Sequence, residues 1–105
     1  MNPAQQIRSG SLYIDAATFA RSFGAREAVA LLRRDEDFWI VPLASAVSGG
    51  YLCKRRTAAG DRVIHADDFF REQGLGAAEN ALEIEAMWNA DAGAFVVPAF
   101  FGASA

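Results

Sequence analysis

The feature that most constrains this chain is an internal repeat at an offset of fifty residues. When residues 13–25 are aligned with residues 63–75, five of the thirteen positions are identical. The identical pairs are Ile14/Ile64, Ala16/Ala66, Phe19/Phe69, Arg21/Arg71 and Gly24/Gly74. The motif WIVP at residues 39–42 returns as FVVP at residues 95–98, now at an offset of fifty-six. The second copy is therefore longer than the first by six residues before its last strand.

Each copy carries the same order of local signals. A short alternating segment predicts a strand with one buried face, and Asp15 or Asp67 then stands where an N-cap is predicted to open a helix. Gly24 and Gly74 are predicted to end the two helices, because glycine takes the left-handed conformation after a helix at no steric cost. Two apolar runs around a polar turn follow, and they predict a hairpin that closes each copy.

The secondary structure of two stretches of the second copy is predicted less directly by the sequence. Residues 50–56 predict a strand that turns into the first strand of the repeat. In residues 77–88 the alternation of apolar side chains with glutamates favours a strand. The same stretch is rich in good helix formers, so the sequence leaves a helix open there.

Two units of this kind are each too small to fold well alone, and joining them buries a shared sheet face. The chain of 105 residues fits one domain. We therefore predict an α+β fold in which two pseudo-symmetric strand–helix–hairpin units form one mainly antiparallel β domain with short helices. The predicted boundaries are residues 5–43 for the first unit, 44–50 for a connector, 51–99 for the second unit and 100–105 for an apolar tail.

Composition is that of a folded protein, with 52% hydrophobic residues, enough for a packed core. The single cysteine, Cys53, excludes an internal disulfide. No basic segment followed by an apolar stretch opens the chain, and the apolar run at residues 94–103 is short and interrupted by Pro98. We expect a cytoplasmic protein without a membrane segment.

Charge is distributed unevenly along the chain. Residues 1–64 carry nine basic and six acidic side chains, a balance of +3, whereas residues 65–105 carry one basic and seven acidic, a balance of −6. The sum is the net charge of −3. Such polarity is compatible with self-association and with a basic face for an anionic partner. The alternative is that these charges simply solvate the surface.

A cluster of basic residues makes DNA the anionic partner to consider. The candidate phosphate contacts are Lys54, Arg55, Arg56 and Arg62, since DNA affinity depends on cations that displace counterions. On a strand, Lys54 and Arg56 share one face and Arg55 lies on the other. A pI near 5.0 argues against unaided, nonspecific binding, and a solvated hairpin is the alternative.

The sequence predicts no catalytic, cofactor or metal site. Cys53 and His65 lack the partners that a nucleophile, a general base or a zinc site requires. Cys53 is predicted to be a small buried side chain. Trp39 and Trp88 lie in apolar strand patterns and are predicted to pack in the core, although aromatic rings also stack on bases.

The tail contains two aromatic residues, Phe100 and Phe101, beyond the last element of the repeat. Two interpretations stay open. These rings either fold back onto the core or form an interface with a second subunit or another protein.

Residues 60–75, GDRVIHADDFFREQGL, resemble the AbrB-like swapped-hairpin family, whose unit has a glycine, an arginine, an alternating strand, a short helix and a closing Gly-Leu. In that family two such units interleave, usually in a homodimer, and in MraZ proteins both copies lie on one chain. The family usually ends its first strand in a proline, whereas Asp15–Ala16 and His65–Ala66 stand at the two places here. The resemblance covers roughly residues 11–43 and 60–99.

The resemblance implies a DNA-binding transcription regulator or an antitoxin that forms a homodimer, with Lys54, Arg55, Arg56 and Arg62 as phosphate contacts. The alternative function is a non-enzymatic protein-binding or assembly factor. It would act through an oligomer interface that includes Phe100, Phe101 and the acidic second half.

Overall fold

The computed structural model describes residues 5–23, 26–44, 49–74 and 82–102. Within these ranges the chain forms two short helices and ten strands. In chain order the elements are β1 (Gln5–Arg8), β2 (Ser11–Ile14), α1 (Ala16–Ser22), β3 (Ala28–Arg34), β4 (Asp37–Leu43), β5 (Tyr51–Leu52), β6 (Lys54–Arg55), β7 (Arg62–His65), α2 (Asp67–Glu72), β8 (Leu82–Ile84), β9 (Met87–Asn89) and β10 (Ala94–Val97).

The strands form two five-stranded sheets. Sheet A has the order β6-β7-β2-β1-β8, and sheet B has the order β5-β3-β4-β10-β9. Every pairing between these strands is antiparallel. The prediction of a mainly antiparallel α+β fold with short helices is therefore confirmed.

The first hairpin and the first helix follow from local chemistry. Ser9 and Gly10 join β1 to β2 with φ values of 50° and 79°, the pair of positive φ angles that a two-residue type I′ turn requires. Asp15 caps α1 as predicted, because its carboxylate accepts a hydrogen bond of 2.9 Å from the backbone N–H of Thr18. That bond satisfies one of the donors left free at a helix start.

The second helix departs from the predicted capping. Ala66 occupies the N-cap position of α2 and makes no side-chain cap, so the prediction that Asp67 caps this helix is wrong. Asp67 is instead the first helical residue, and its carboxylate accepts a hydrogen bond of 3.1 Å from Arg71 one turn later. Gly74 follows the helix with φ of 85°, as predicted. Gly24 lies outside the described residues.

Within each sheet, two hairpins pair with each other through their inner strands. In sheet A, β2 pairs with β7, so that Tyr13 lies opposite Val63 and Leu12 opposite Ile64. In sheet B, β4 pairs with β10, so that Trp39 lies opposite Val96. In each sheet the two hairpins, β1–β2 with β6–β7 and β3–β4 with β9–β10, thus lie side by side.

One cluster of buried side chains joins both sheets and both helices. Its largest fully buried members include Phe38, Phe70, Ile7, Leu12 and Ile64. The ring of Phe38 lies 5.8 Å from that of Phe69 and 5.8 Å from that of Phe70, so α2 packs directly onto β4. Aromatic pairs at such separations stabilise beyond their buried area.

Two segments pass from one sheet to the other. Of the stretch in which strand and helix were both open, β8 and β9 are strands, and residues 75–81 lie outside the described residues. β8 pairs with β1 in sheet A and β9 pairs with β10 in sheet B. The single strand predicted over residues 50–56 is likewise divided, because Cys53 separates β5 in sheet B from β6 in sheet A.

The prediction of a core position for Trp88 is wrong. Its side chain is 51% exposed, because β9 is the edge strand of sheet B and only one side of the ring meets Phe95. Trp39 is half-buried and is not among the residues of the buried core, so its predicted core position is wrong as well. Among the described helices, none has the length and apolar character needed to cross a membrane.

Candidate nucleic-acid interface

The hairpin between β6 and β7 carries the predicted basic cluster. Its turn closes with a hydrogen bond of 3.1 Å from the N–H of Gly60 to the carbonyl of Thr57. The Asp61 carboxylate accepts hydrogen bonds from the Thr57 hydroxyl at 2.9 Å and from the N–H of Ala16 at 2.7 Å. These bonds lower the pKa of Asp61, and they tie the hairpin to the start of α1.

Strand register divides the four predicted phosphate contacts between two faces. Lys54 lies opposite Val63, whereas Arg55 lies opposite Arg62. Because paired residues in an antiparallel sheet point to the same face, Arg55 and Arg62 lie on the face opposite Lys54. Arg56 continues the ladder, since its N–H donates to the carbonyl of Asp61 at 2.7 Å. Lys54 and Arg56 therefore share a face, and the structure does not bring all four residues together.

Arg62 lies on the inner face, where it packs against the chain. Its guanidinium lies 4.3 Å from the centre of the Phe19 ring and donates to the carbonyl of Cys53 at 3.3 Å. Its Nε atom is buried and has no hydrogen-bond partner among the described residues. These contacts give Arg62 a role in packing at the edge of sheet A. Arg55 is exposed and donates to the carbonyl of Ala58 at 3.2 Å.

The outer face of sheet A gathers cations around one aromatic ring. Tyr13 lies opposite Gln6 on one side and Val63 on the other. The guanidinium of Arg8 lies 4.6 Å from the centre of the Tyr13 ring, and that of Arg56 lies 5.2 Å from it. Both distances are in the range of cation–π contacts. We call Arg8, Tyr13, Lys54 and Arg56 the basic face.

The cations of the basic face are not neutralised by ion pairs. Among the described residues the salt bridges within 4.0 Å are Arg33–Glu36 and Arg71–Asp67. Neither involves the basic face. Asp61, which is attracted by Arg56, is held by its own hydrogen bonds, and Glu83 lies opposite Gln6 on edge strand β8. The basic face therefore presents three exposed positive charges, those of Arg8, Lys54 and Arg56.

An open groove adjoins the basic face at the tip of the hairpin. It has a volume of about 400 Å³ and is lined by Arg55, Arg56, Thr57 and Ala58. Its walls are thus two guanidinium side chains, a hydroxyl and a methyl group.

Sequence reasoning missed Arg8 and Tyr13. Arg8 lies at the end of β1, a strand that the sequence indicates only weakly, and its place beside Tyr13 depends on the turn at Ser9 and Gly10. Both residues could have been predicted from the alignment of the two hairpins. Because β2 pairs with β7, the outward side chains of β1 and β6 lie on the same face of sheet A.

Phe100 and Phe101 contact the core of their own chain. Their ring centres lie 5.5 and 5.7 Å from that of Phe38, and both side chains are partly buried. The Arg33 guanidinium lies 5.0 Å from the Phe101 ring. Of the two interpretations left open by the sequence, this packing matches the one in which the rings fold back.

The environments of the Cys53 thiol and the His65 imidazole determine the reactivity of these two groups. Cys53 is buried, and that burial raises the pKa of its thiol from an ordinary value of 9.0 to about 11 despite the opposing effect of Arg62. A thiol held in its neutral form is a poor nucleophile. Nδ1 of His65 lies 2.9 Å from the hydroxyl oxygen of Ser11. Among the residues described, no three His, Cys, Asp or Glu side chains converge as metal ligands would.

Comparison of the chain with protein-family models, with curated proteins and with solved structures found no match.

Proposed function

We propose that this protein is a small non-enzymatic regulatory module that binds DNA through the basic face. The proposal rests on the position of Arg8 and Arg56 beside the Tyr13 ring, with Lys54 on the same sheet face. Among the described residues no carboxylate lies within 4.0 Å of these cations. Cations without a carboxylate partner release counterions from DNA when they contact phosphates. A tyrosine hydroxyl is a further donor to phosphate oxygens.

The acidic balance of the second half is compatible with this proposal. Exposed charges farther apart than about 8 Å are largely screened in physiological salt. The molecule has principal extents of 37 × 31 × 31 Å, so acidic groups on other surfaces act weakly on a phosphate at the basic face. Three phosphate contacts supply modest affinity, which fits a module that gains avidity through self-association.

We further propose that the chain consists of two pseudo-symmetric copies of an AbrB-like unit and acts as a transcription regulator or an antitoxin. The register supports the proposal, because Tyr13 pairs with Val63, its aligned counterpart in the second copy. In sheet B, Trp39 pairs with Val96 and Ile40 with Phe95. Trp39 aligns with Phe95 and Ile40 with Val96, so each pairing exchanges the two copies, as a twofold relation requires.

The experiment uses neighbouring residues on opposite faces. Binding of short DNA duplexes of random sequence and of genomic fragments is measured by mobility shift from about 50 to about 200 mM salt. Lys54→Gln and Arg56→Gln are each expected to lower the slope of log affinity against log salt by about 0.9, the value of one phosphate contact. Arg55→Gln removes the same charge from the other face and is expected to leave the slope unchanged.

Two results contradict the proposal. Absence of binding at low salt removes DNA as the partner. Equal losses in Arg55→Gln and Arg56→Gln would show that attraction depends on total charge and not on the basic face.

A second function, protein binding or assembly, is favoured by a separate observation. The outer face of sheet B exposes Leu32 and Met87 at 39% and 68%, and large apolar groups exposed together mark interaction surfaces. A chain that self-associates but binds no DNA under the conditions above would support this function alone.

A further inference from the structure

The outer face of sheet B carries a continuous apolar row across four strands. Leu32 pairs with Trp39, Trp39 with Val96, and Val96 with Met87. Since paired residues point to the same face, these four side chains lie side by side on one surface. We call Leu32, Trp39, Val96 and Met87 the apolar face.

The rows beside the apolar face contain further apolar residues. On the side away from the β3–β4 turn, Ala30 pairs with Val41, and Ala28 lies between Leu43 and the 53%-exposed Leu52. On the turn side stands one charged pair, in which Arg34 lies opposite Asp37. These are the charged side chains that register places on the outer side of the described strands of sheet B.

The position of this surface separates it from the elements already assigned. The opposite side of sheet B holds Phe38, Ile40 and Phe95, which belong to the buried core. No described helix covers the apolar side, as the exposed fractions of Leu32, Leu52 and Met87 show. The basic face lies on the outer side of sheet A, so both surfaces can be occupied at once.

The charged pair indicates which molecule fits this surface. A twofold axis that runs along the strands between β3 and β4 places β3 of one copy over β4 of the other. The same rotation sets Arg34 against Asp37 of the second copy, and Asp37 against Arg34 of that copy. It also sets Leu32 against the indole of Trp39. A surface whose charges complement its own image is suited to an isologous contact.

Arg34 is available for such a contact. Its guanidinium lies 5.0 Å from the centre of the Trp39 ring and has no carboxylate within 4.0 Å in the described part of the chain. Asp37 keeps one oxygen engaged, because Oδ1 accepts the N–H of Ala99 at 2.8 Å. Its other oxygen can accept a guanidinium from outside the chain.

We propose that two copies of this chain associate face to face through the apolar face. At about 3.3 Å per residue and 4.8 Å between strands, the described outer side of sheet B has a projected area on the order of 400 Å². A standard interface buries about 800 Å² per partner. The projected area is below that standard, so the dimer is expected to be weak.

The first measurement is the mass of the full chain in solution. Sedimentation equilibrium from about 1 to about 500 μM is expected to show a rise from monomer to dimer. Leu32→Glu places a charge on the apolar face against the Trp39 ring of the second copy and is expected to weaken the dimer at least about tenfold. Ala20→Glu adds the same charge at an exposed position of α1 and is expected to leave the mass unchanged.

A charge exchange tests the axis and distinguishes a second copy from any other occupant. Arg34→Glu sets two carboxylates against each other across the twofold and is expected to weaken the dimer. Adding Asp37→Lys restores opposite charges in every contact and is expected to recover association. Circular dichroism and thermal unfolding confirm that each variant is folded.

Several outcomes overturn the proposal. A chain that stays monomeric over the whole concentration range has no such dimer. A dimer that is unchanged by Leu32→Glu uses another surface, including the tail at Phe100 and Phe101. A dimer that is weakened by Arg34→Glu but not recovered by Asp37→Lys lacks the proposed axis.

Discussion

The outer faces of the two sheets differ, although the sheets are built in the same way. Both sheets have five antiparallel strands, and both direct apolar side chains into one cluster. On the outer side of sheet A, Tyr13 lies among Arg8, Lys54 and Arg56. On the outer side of sheet B, Trp39 lies between Leu32 and Val96.

This difference indicates that residues on the inner sheet faces stabilise the fold, whereas exposed residues on the outer faces determine which partner each sheet can bind. Inner residues such as Leu12 and Ile40 are fully buried, so their replacement costs packing energy. Exposed outer residues such as Lys54 and Leu32 can be charged or apolar at little cost to the fold. A charged outer face suits an anionic partner, and an apolar outer face suits a protein surface.

The largest loss of stability is expected at the residue where the aromatic side chains of the common core meet. Phe38 is fully buried, and its ring contacts those of Phe69, Phe70, Phe100 and Phe101. Phe38→Ala is expected to lower the free energy of unfolding by about 3–5 kcal/mol. Urea denaturation measures this loss. Separate transitions for the two sheets would break the view that they share one core.

The next effect concerns the turn that holds Arg8 on the basic face. Gly10 has φ of 79°, and a Cβ built there would collide with the carboxylate of Asp67 and lie 3.1 Å from its Cα. Gly93 also has a positive φ, of 64°, but its added Cβ would meet nothing within 4 Å. Gly10→Ala is therefore expected to destabilise by roughly 1–2 kcal/mol more than Gly93→Ala.

Thermal and urea unfolding of the two glycine variants provide the comparison. Removing the colliding carboxylate with Asp67→Ala is expected to return part of the stability lost in Gly10→Ala. Equal losses in the two glycine variants would mean that φ alone, and not the approach of α2, determines the cost.

A smaller difference in the free energy of unfolding is expected between substitutions on the two faces of the hairpin between β6 and β7. Arg62 packs on Phe19 and donates to the carbonyl of Cys53, so Arg62→Gln is expected to lower the free energy of unfolding by about 1 kcal/mol. Arg56 is exposed, and Arg56→Gln is expected to change it by less than about 0.5 kcal/mol. Urea denaturation of both variants tests this. The reverse order would contradict the assignment of Arg62 to packing.

An effect that is expected only at high pH is an alkaline loss of stability from Cys53. Burial raises the pKa of the folded thiol from 9.0 to about 11, so the unfolded chain releases this proton first as pH rises. The stabilisation from this group is therefore complete below pH 9 and is lost as pH rises through about 11. Urea denaturation across this range should show a steeper decline for the wild type than for Cys53→Ala. Parallel curves would show that the thiol is not protected.

Local signals predicted the elements of the fold that local chemistry forms. Asp15 at the start of α1, Gly74 after α2 and the apolar side chains of Phe19 and Phe69 could all be read from their immediate neighbours. The failure of Asp67 to cap α2 could not be predicted in this way, since that carboxylate lies against Gly10, a residue far away in the chain. Exposure of Trp88 was also missed, because an edge strand and an inner strand share the same alternating pattern.

The candidate surfaces were predictable only in part. Alternation along β6 was enough to place Lys54 and Arg56 on one face and Arg55 on the other. Arg8 and Tyr13 joined them only through the order of strands in sheet A. The apolar face required the register of four strands from both halves of the chain.

The sequence by itself determined the alternating strands, the turns and the antiparallel α+β class, because these depend on neighbours within a few residues. Only the tertiary structure decided which side of each sheet faces solvent and which distant residues share it. The physical reason is that side chains alternate with a period of two, so a face is defined only when strands pair in one register. Register, in turn, is selected by burial of the common core.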